Sequence, residues 1–335
     1  MQLPQPCGPL SRRVIERLTR PEVAGSPVAL TGETGGSVLT DRDTQLALWS
    51  IYEMFYDGFE DVDPRLEWDV ELIALRLVIE DRLESELRTV TRRRVAAALT
   101  RGGDVGDLIL ETVQADDGPH LSSYLRRGAT AEQMRDFLRE RSVQQLKESD
   151  PQAFMVPRLN GAAKVALAEL QYDEFGGGRP ERLHQSMYAR TLAAVGLDDA
   201  DGAYIDEVSA ISLASANVMS LFALNRRLVA AGTGHFAAFE ASSSVPSRRI
   251  AAWLARLDLS GAAAYFDEHV EADAVHEQVA ARDICGSLAS DQPDLLPEIL
   301  FGVVCALHLD ALSSTELLTR WGVLSETDVP DEVAS

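Results

Sequence analysis

Thirteen residues, Tyr265 to Glu277 (YFDEHVEADAVHE), restrict the folds open to this chain more than any other stretch. His269, Asp273 and His276 stand at i, i+4 and i+7, which places them within about 40° of one another on an α-helix turning 100° per residue. One helical face therefore carries two imidazoles and a carboxylate. Ala272, Ala274, Val275 and Ala280 favour the helix, and Asp267, Glu268, Glu271 and Glu277 can form its wet side. Buried, such a face must be compensated, and a divalent metal does this directly. Left in water, the same residues make a solvated acidic helix with two incidental histidines. The triplet alone leaves both readings open.

Composition narrows the possible partners. The chain of 335 residues is 46% hydrophobic, enough for a large core. Its net charge of −22 disfavours nucleic acid and anionic membrane surfaces. Cys7, Cys285 and Cys305 show no CxxC spacing, so a reduced, cytoplasmic protein is expected. No signal-like apolar segment opens the chain, and no run is read as a membrane span.

Along the chain the periodicity is helical throughout. Residues 1–40, with Pro4, Pro6, Pro21, Pro27 and the GETGG run, read as an irregular arm around one short helix. From Asp41, the residues Leu46, Leu48, Trp49, Ile51, Tyr52, Phe55 and Tyr56 form an apolar stripe after a cap, and helical patterns continue to residue 100. Residues 41–125 are taken as an N-terminal helical extension, with the Trp49 to Tyr56 aromatics a possible homodimer interface. Thr130 and Gln133 have the form of a capping box opening a helix expected to run to Asp150, with Glu148 in its last turn. An amphipathic helix over 159–172 runs into Gly176, Gly177, Gly178 and Pro180, flanked by Glu174 and His184. Unwinding at the glycines would let both groups point at one site. Residues 203–231 read as a core helix interrupted by Gly232 and Gly234. The serines before Pro246 read as a turn, and 295–318 as a last apolar helix ahead of an acidic tail over 321–335. No segment alternates with the period of a strand, so the expected fold is all-α.

Glu148, Glu174, His184, Glu240, His269, Asp273 and His276 thus fall on or beside different helices, the arrangement that builds a metal site inside a bundle. Four carboxylates offset the charge of two ferrous ions, and mixed nitrogen and oxygen donors suit iron or manganese better than calcium. Seven donors leave coordination positions open, where dioxygen could bind.

Three segments then become specific: EFGGGRPERLH (174–184), FEASSSVPSRR (239–249) and DEHVEADAVHE (267–277). They resemble the haem-oxygenase-like diiron oxidases and oxygenases, the iron-containing redox enzymes, over residues 130–318. The resemblance implies a haem-oxygenase-like helical bundle (126–320) holding two irons and no haem, since the proximal-histidine context of a haem oxygenase is absent. It puts the second-helix pair on Glu174 and His184 and the third-helix triplet on His269, Asp273 and His276. By placement it puts the first-helix carboxylate on Glu148 and the remaining one on Glu240, with Glu169 and Asp173 as rivals. It further implies O2 as co-substrate, an external electron donor, and N-oxygenation of a small amine or amino-acid-like compound in specialised metabolism. The alternatives are C–C cleavage or desaturation of an amino or fatty acid, or a non-catalytic helical binding or dimerisation protein. Arg179, beside Glu174, is a candidate for holding a substrate carboxylate, with helix capping or ion pairing as the other reading. His235 and His308 are expected to be structural.

Overall fold

The computed structural model describes residues 1–21, 36–119 and 121–325, apart from the side chains of Glu271 and Asp273. Pro27, most of the GETGG run and the tail beyond 325 fall outside the described residues. Among the described residues there is no strand, and the chain is an all-α bundle.

Side-chain caps set several helix starts. The first helix, α1 (Pro9–Thr19), packs on α2 (Arg42–Glu53), whose N-cap is Asp41. Asp69 caps α3 (Val70–Arg101), one continuous helix. Shorter helices α4 (Val105–Gln114) and α5 (Leu121–Gly128) follow. The Thr130 and Gln133 capping box opens α6 (Ala131–Gln145).

That helix ends five residues before Asp150, and this corrects the sequence expectation. Residues 146–149 tighten into i→i+3 turns, with Lys147 N bonded to Gln144 O and Glu148 N to Gln145 O, and Ser149 takes a left-handed φ of 70°. Pro151 then sits in the first turn of the short α7 (Asp150–Ala153), where a missing N–H costs nothing. Glu148 consequently projects from a turn between helices.

Next come α8 (Gly161–Glu174), α9 (His184–Ala194), α10 (Ala210–Leu224), α11 (Val229–Arg256), α12 (Ser260–Gln278), α13 (Ser287–Asp291) and α14 (Leu296–Arg320). A π-helical stretch, Val279–Gly286, joins α12 to α13 directly after His276. The long α11 is the axis of the bundle, lying between α12 and α14. It runs unbroken through Gly232, Gly234 and Pro246, where sequence reading placed interruptions; the break falls at Asn225–Leu228. The glycines serve contact. A Cβ on Gly234 would lie 1.9 Å from the Ile299 carbonyl oxygen, and one on Gly302 would lie 1.8 Å from that of Ala231. Here α11 and α14 meet backbone to backbone.

The apolar window of Pro293–Arg320 is long enough to cross a membrane by length and composition, but most of it is buried among α11, α3 and α10. The helices α1 to α3 share one core with α10 and α14. Trp49 and Tyr52 lie inside that core beside Leu46, Leu48 and Ile51, each of these aliphatic side chains contributing about 1.5–3 kcal/mol by burial. The stripe read as a possible dimer face is therefore largely interior. A second tie is ionic: Lys147, next to Glu148, reaches Glu53 of α2 at 2.7 Å and Asp201 at 2.9 Å. Burial pushes the Glu53 carboxyl up to about 7 even against the attraction of Lys147.

Candidate metal centre

Five elements deliver polar side chains to one point of the interior. Glu148 comes from the turn after α6, Glu174 from the last position of α8, His184 from the first of α9, Glu240 from α11, and His269 and His276 from α12. The glycine break brings Glu174 and His184 together as local unwinding requires. Gly176 takes a φ of +78°, and a Cβ there would lie 2.7 Å from the backbone of Arg182 and Leu183. The chain thus folds back at once, leaving His184 Nδ1 2.9 Å from Glu174 Oε2.

The six groups form two triads, Glu148 with His184 and His269, and Glu174 with Glu240 and His276. Within each, one donor atom per residue lies within 4.8 Å of the others. All six are at least 94% buried. Glu174 touches both triads, since its Oε2 faces His184 while its Oε1 lies 3.3 Å from His276 Nδ1. Glu240 Oε2 approaches the same nitrogen at 3.5 Å, and His269 Nε2 lies 3.3 Å from Glu148 Oε1.

A void of about 10 Å³ is bounded by Glu148, Glu174 and Glu240. Although Nδ1 of His184 and of His276 each face a carboxylate closely, neither makes an aligned hydrogen bond. Buried nitrogens converging on carboxylates in this way leave lone pairs that a cation between them would satisfy. The two Glu/His triads fit an iron centre.

Without a cation the charges balance through protons. Burial disfavours the ionised Glu174, but His184 and His276 outweigh it and hold the carboxyl below the usual carboxylate range. Burial likewise disfavours charge on His276, yet Glu174 and Glu240 raise it to about 11, and His184 is raised by Glu174. His235 and His308 go the other way, lowered to about 4 by burial, as expected of neutral packing residues.

Several supporting groups were not singled out in the sequence. Tyr265 bonds Glu148 through its hydroxyl at 2.8 Å and itself accepts from Gln145 Nε2 at 2.6 Å. Its carbonyl takes the His269 Nδ1 proton at 2.7 Å, which leaves Nε2 to face Glu148. Ser149 Oγ donates to Glu174 Oε2 at 3.1 Å, and Gln185 Nε2 holds the Glu148 carbonyl at 2.9 Å. Tyr265 stands one turn before His269, and that spacing was the available signal.

The remaining candidates separate clearly. The Asp273 side chain lies outside the described ones. Asp173 is mostly exposed, with Oδ2 3.6 Å from His276 Nε2, and Glu169 is exposed on α8. Arg179 is exposed in the glycine turn and does not line the large cavity described next.

That cavity, of about 260 Å³, meets the first triad at His269, Tyr265 and Gln145. Phe137, Phe266 and Ile250 give it apolar walls, with a row of serines along α11. The arrangement is a buried cluster able to hold a cation, beside a chamber sized for a small organic molecule. No curated protein matches the chain. The model of the family described as iron-containing redox enzymes matches residues 135–311, more than half of the chain and all six triad residues, so this protein belongs to the iron-containing redox enzyme family.

Proposed function

We propose that this chain is a non-haem oxygenase that binds two irons, uses O2, and N-oxygenates a small amine or amino-acid-derived substrate. One observation carries the reading: Glu174 faces both triads, as a carboxylate shared between two neighbouring cations would. Glu148, His184 and His269 would hold one iron, and Glu240 and His276 the other, with Glu174 between. The pair would supply O2 activation when bound.

The protein's own part is to orient and shield. Tyr265 and Gln145 restrain the Glu148 carboxylate, and the Tyr265 carbonyl sets the His269 tautomer. Phe266 and Phe137 give the chamber beside His269 apolar walls. The substrate nitrogen would enter along the cavity as a free base and be presented to the His269 edge. An external reductant belongs to the reading, because inserting one oxygen atom leaves the other to be reduced with electrons that the substrate does not provide.

Metal analysis and oxygen uptake test it. Anaerobically loaded protein is expected to retain about two irons per chain, and His276→Ala to lose iron-dependent O2 consumption while keeping its helical circular dichroism. Full uptake by that variant, or protein that takes up no iron, defeats the proposal.

A further inference from the structure

Charge along the large cavity is uneven. Four charged residues line it: Asp116, Arg141, Arg249 and Asp310. Arg141 is paired with Asp310 across the wall, and Asp116 with Arg94, so these cancel. Arg249 has no carboxylate within 4 Å among the described residues. Its Nη1 donates to Ser122 Oγ at 3.0 Å, leaving most of the guanidinium fork unused. In a chain with 53 acidic and 31 basic residues, an uncompensated arginine on a half-buried wall is against the composition.

Its position is set by α11. Phe239, Ser242, Ser243, Pro246, Ser247 and Ile250 recur at helical spacing and form one wall. Glu240 is on the same helix nine residues before Arg249, about 13 Å along the axis. His269 of the first triad and the Arg249 guanidinium both line the chamber. Beside Arg249 the wall includes Ser122, Leu121 and Leu125 of α5, which lies outside the segment matched by the family model.

We propose that Arg249, positioned by Ser122 of α5, is an anion subsite that anchors a substrate carboxylate and points the opposite end of the molecule at His269. A planar guanidinium with free donors receives a carboxylate through two parallel hydrogen bonds. The serines along α11 suit a molecule with polar groups between its ends. This inference rests on the oxygenase reading for what happens at the metal end, and it makes the substrate a carboxylate-bearing amine in place of a simple cationic amine.

Calorimetric titration of the full-length, iron-loaded chain under anaerobic conditions tests it, with hexanoate and hexylamine as probes of equal length. Hexanoate is expected to bind at least about tenfold more tightly than hexylamine, Arg249→Gln to abolish that preference, and Arg249→Lys to restore part of it. A preference for hexylamine, an unchanged preference in Arg249→Gln, or binding of neither probe overturns the subsite. The same titration on iron-free chain separates the two proposals: anion binding that depends on Arg249 without any iron uptake defeats the oxygenase and leaves the subsite standing.

Discussion

The two triads hold the same kinds of donor, yet they are built differently. The first is braced by neutral hydrogen bonds, from Tyr265 and Gln145 to Glu148 and from His269 to the Tyr265 carbonyl, and it borders the chamber. The second is held mainly by charge, with Glu174 and Glu240 both directed at His276 Nδ1. A braced site keeps its shape whether or not a cation is present; a charge-held one depends on what fills it. On the oxygenase proposed above, the difference would give substrate-facing work to the first triad, and to the second a role that follows occupancy.

The strongest way to break this comparison is at the residue the triads share. Glu174→Gln is expected to remove both irons on metal analysis, whereas Glu240→Gln removes only one; equal losses from the two variants would mean that Glu174 serves a single site. A smaller effect separates the braces. Tyr265→Phe is expected to weaken iron at the first triad by about 10–100-fold while sparing the second, read from anaerobic titration. A uniform weakening would show that the two sites are not independently supported.

The smallest effect is on stability, and it contrasts two histidines of opposite sign. His235, lowered to about 4, binds fewer protons folded than unfolded between that value and its ordinary 6.5. Its contribution is therefore complete above about pH 6.5 and is lost as pH falls toward 4, by at most about 1.4 kcal/mol per pH unit. His276, raised to about 11, stabilises the metal-free chain fully below its ordinary value and loses that contribution as pH rises through about 11. Thermal unfolding of iron-free His235→Gln should show a flatter acid limb than the parent chain, with the alkaline limb unchanged. An identical acid limb would remove His235 from the account.

Much of this was legible because the signals were local. Glu174 and His184 could be related on sequence, since three consecutive glycines disfavour an unbroken helix and unwinding there lets the flanking side chains meet, as they do. The Thr130 cap and the all-helical periodicity were equally local. Gly234 misled because a glycine permits either a break or a close approach, and what decided between them lay at Ile299 and Gly302, more than sixty residues away. Pro246 misled similarly, since an interior proline in a packed helix is sustained by its neighbours. The contacts of Arg249 and Tyr265 lay beyond the sequence reading because their partners, Ser122 and Glu148, stand 127 and 117 residues earlier in the chain.

The ion pair between Lys147 and Glu53 has a practical corollary. An expression clone trimmed to the boundaries of the family match would delete α2 and with it the Glu53 counter-ion, leaving Lys147, immediately beside Glu148, with Asp201 alone. It would also strip the partners of Phe301 and Cys305 on α14. The region before residue 135 is thus part of the vessel that encloses the reaction chamber, and shortened versions should be judged as damaged proteins before their silence is taken as absence of chemistry.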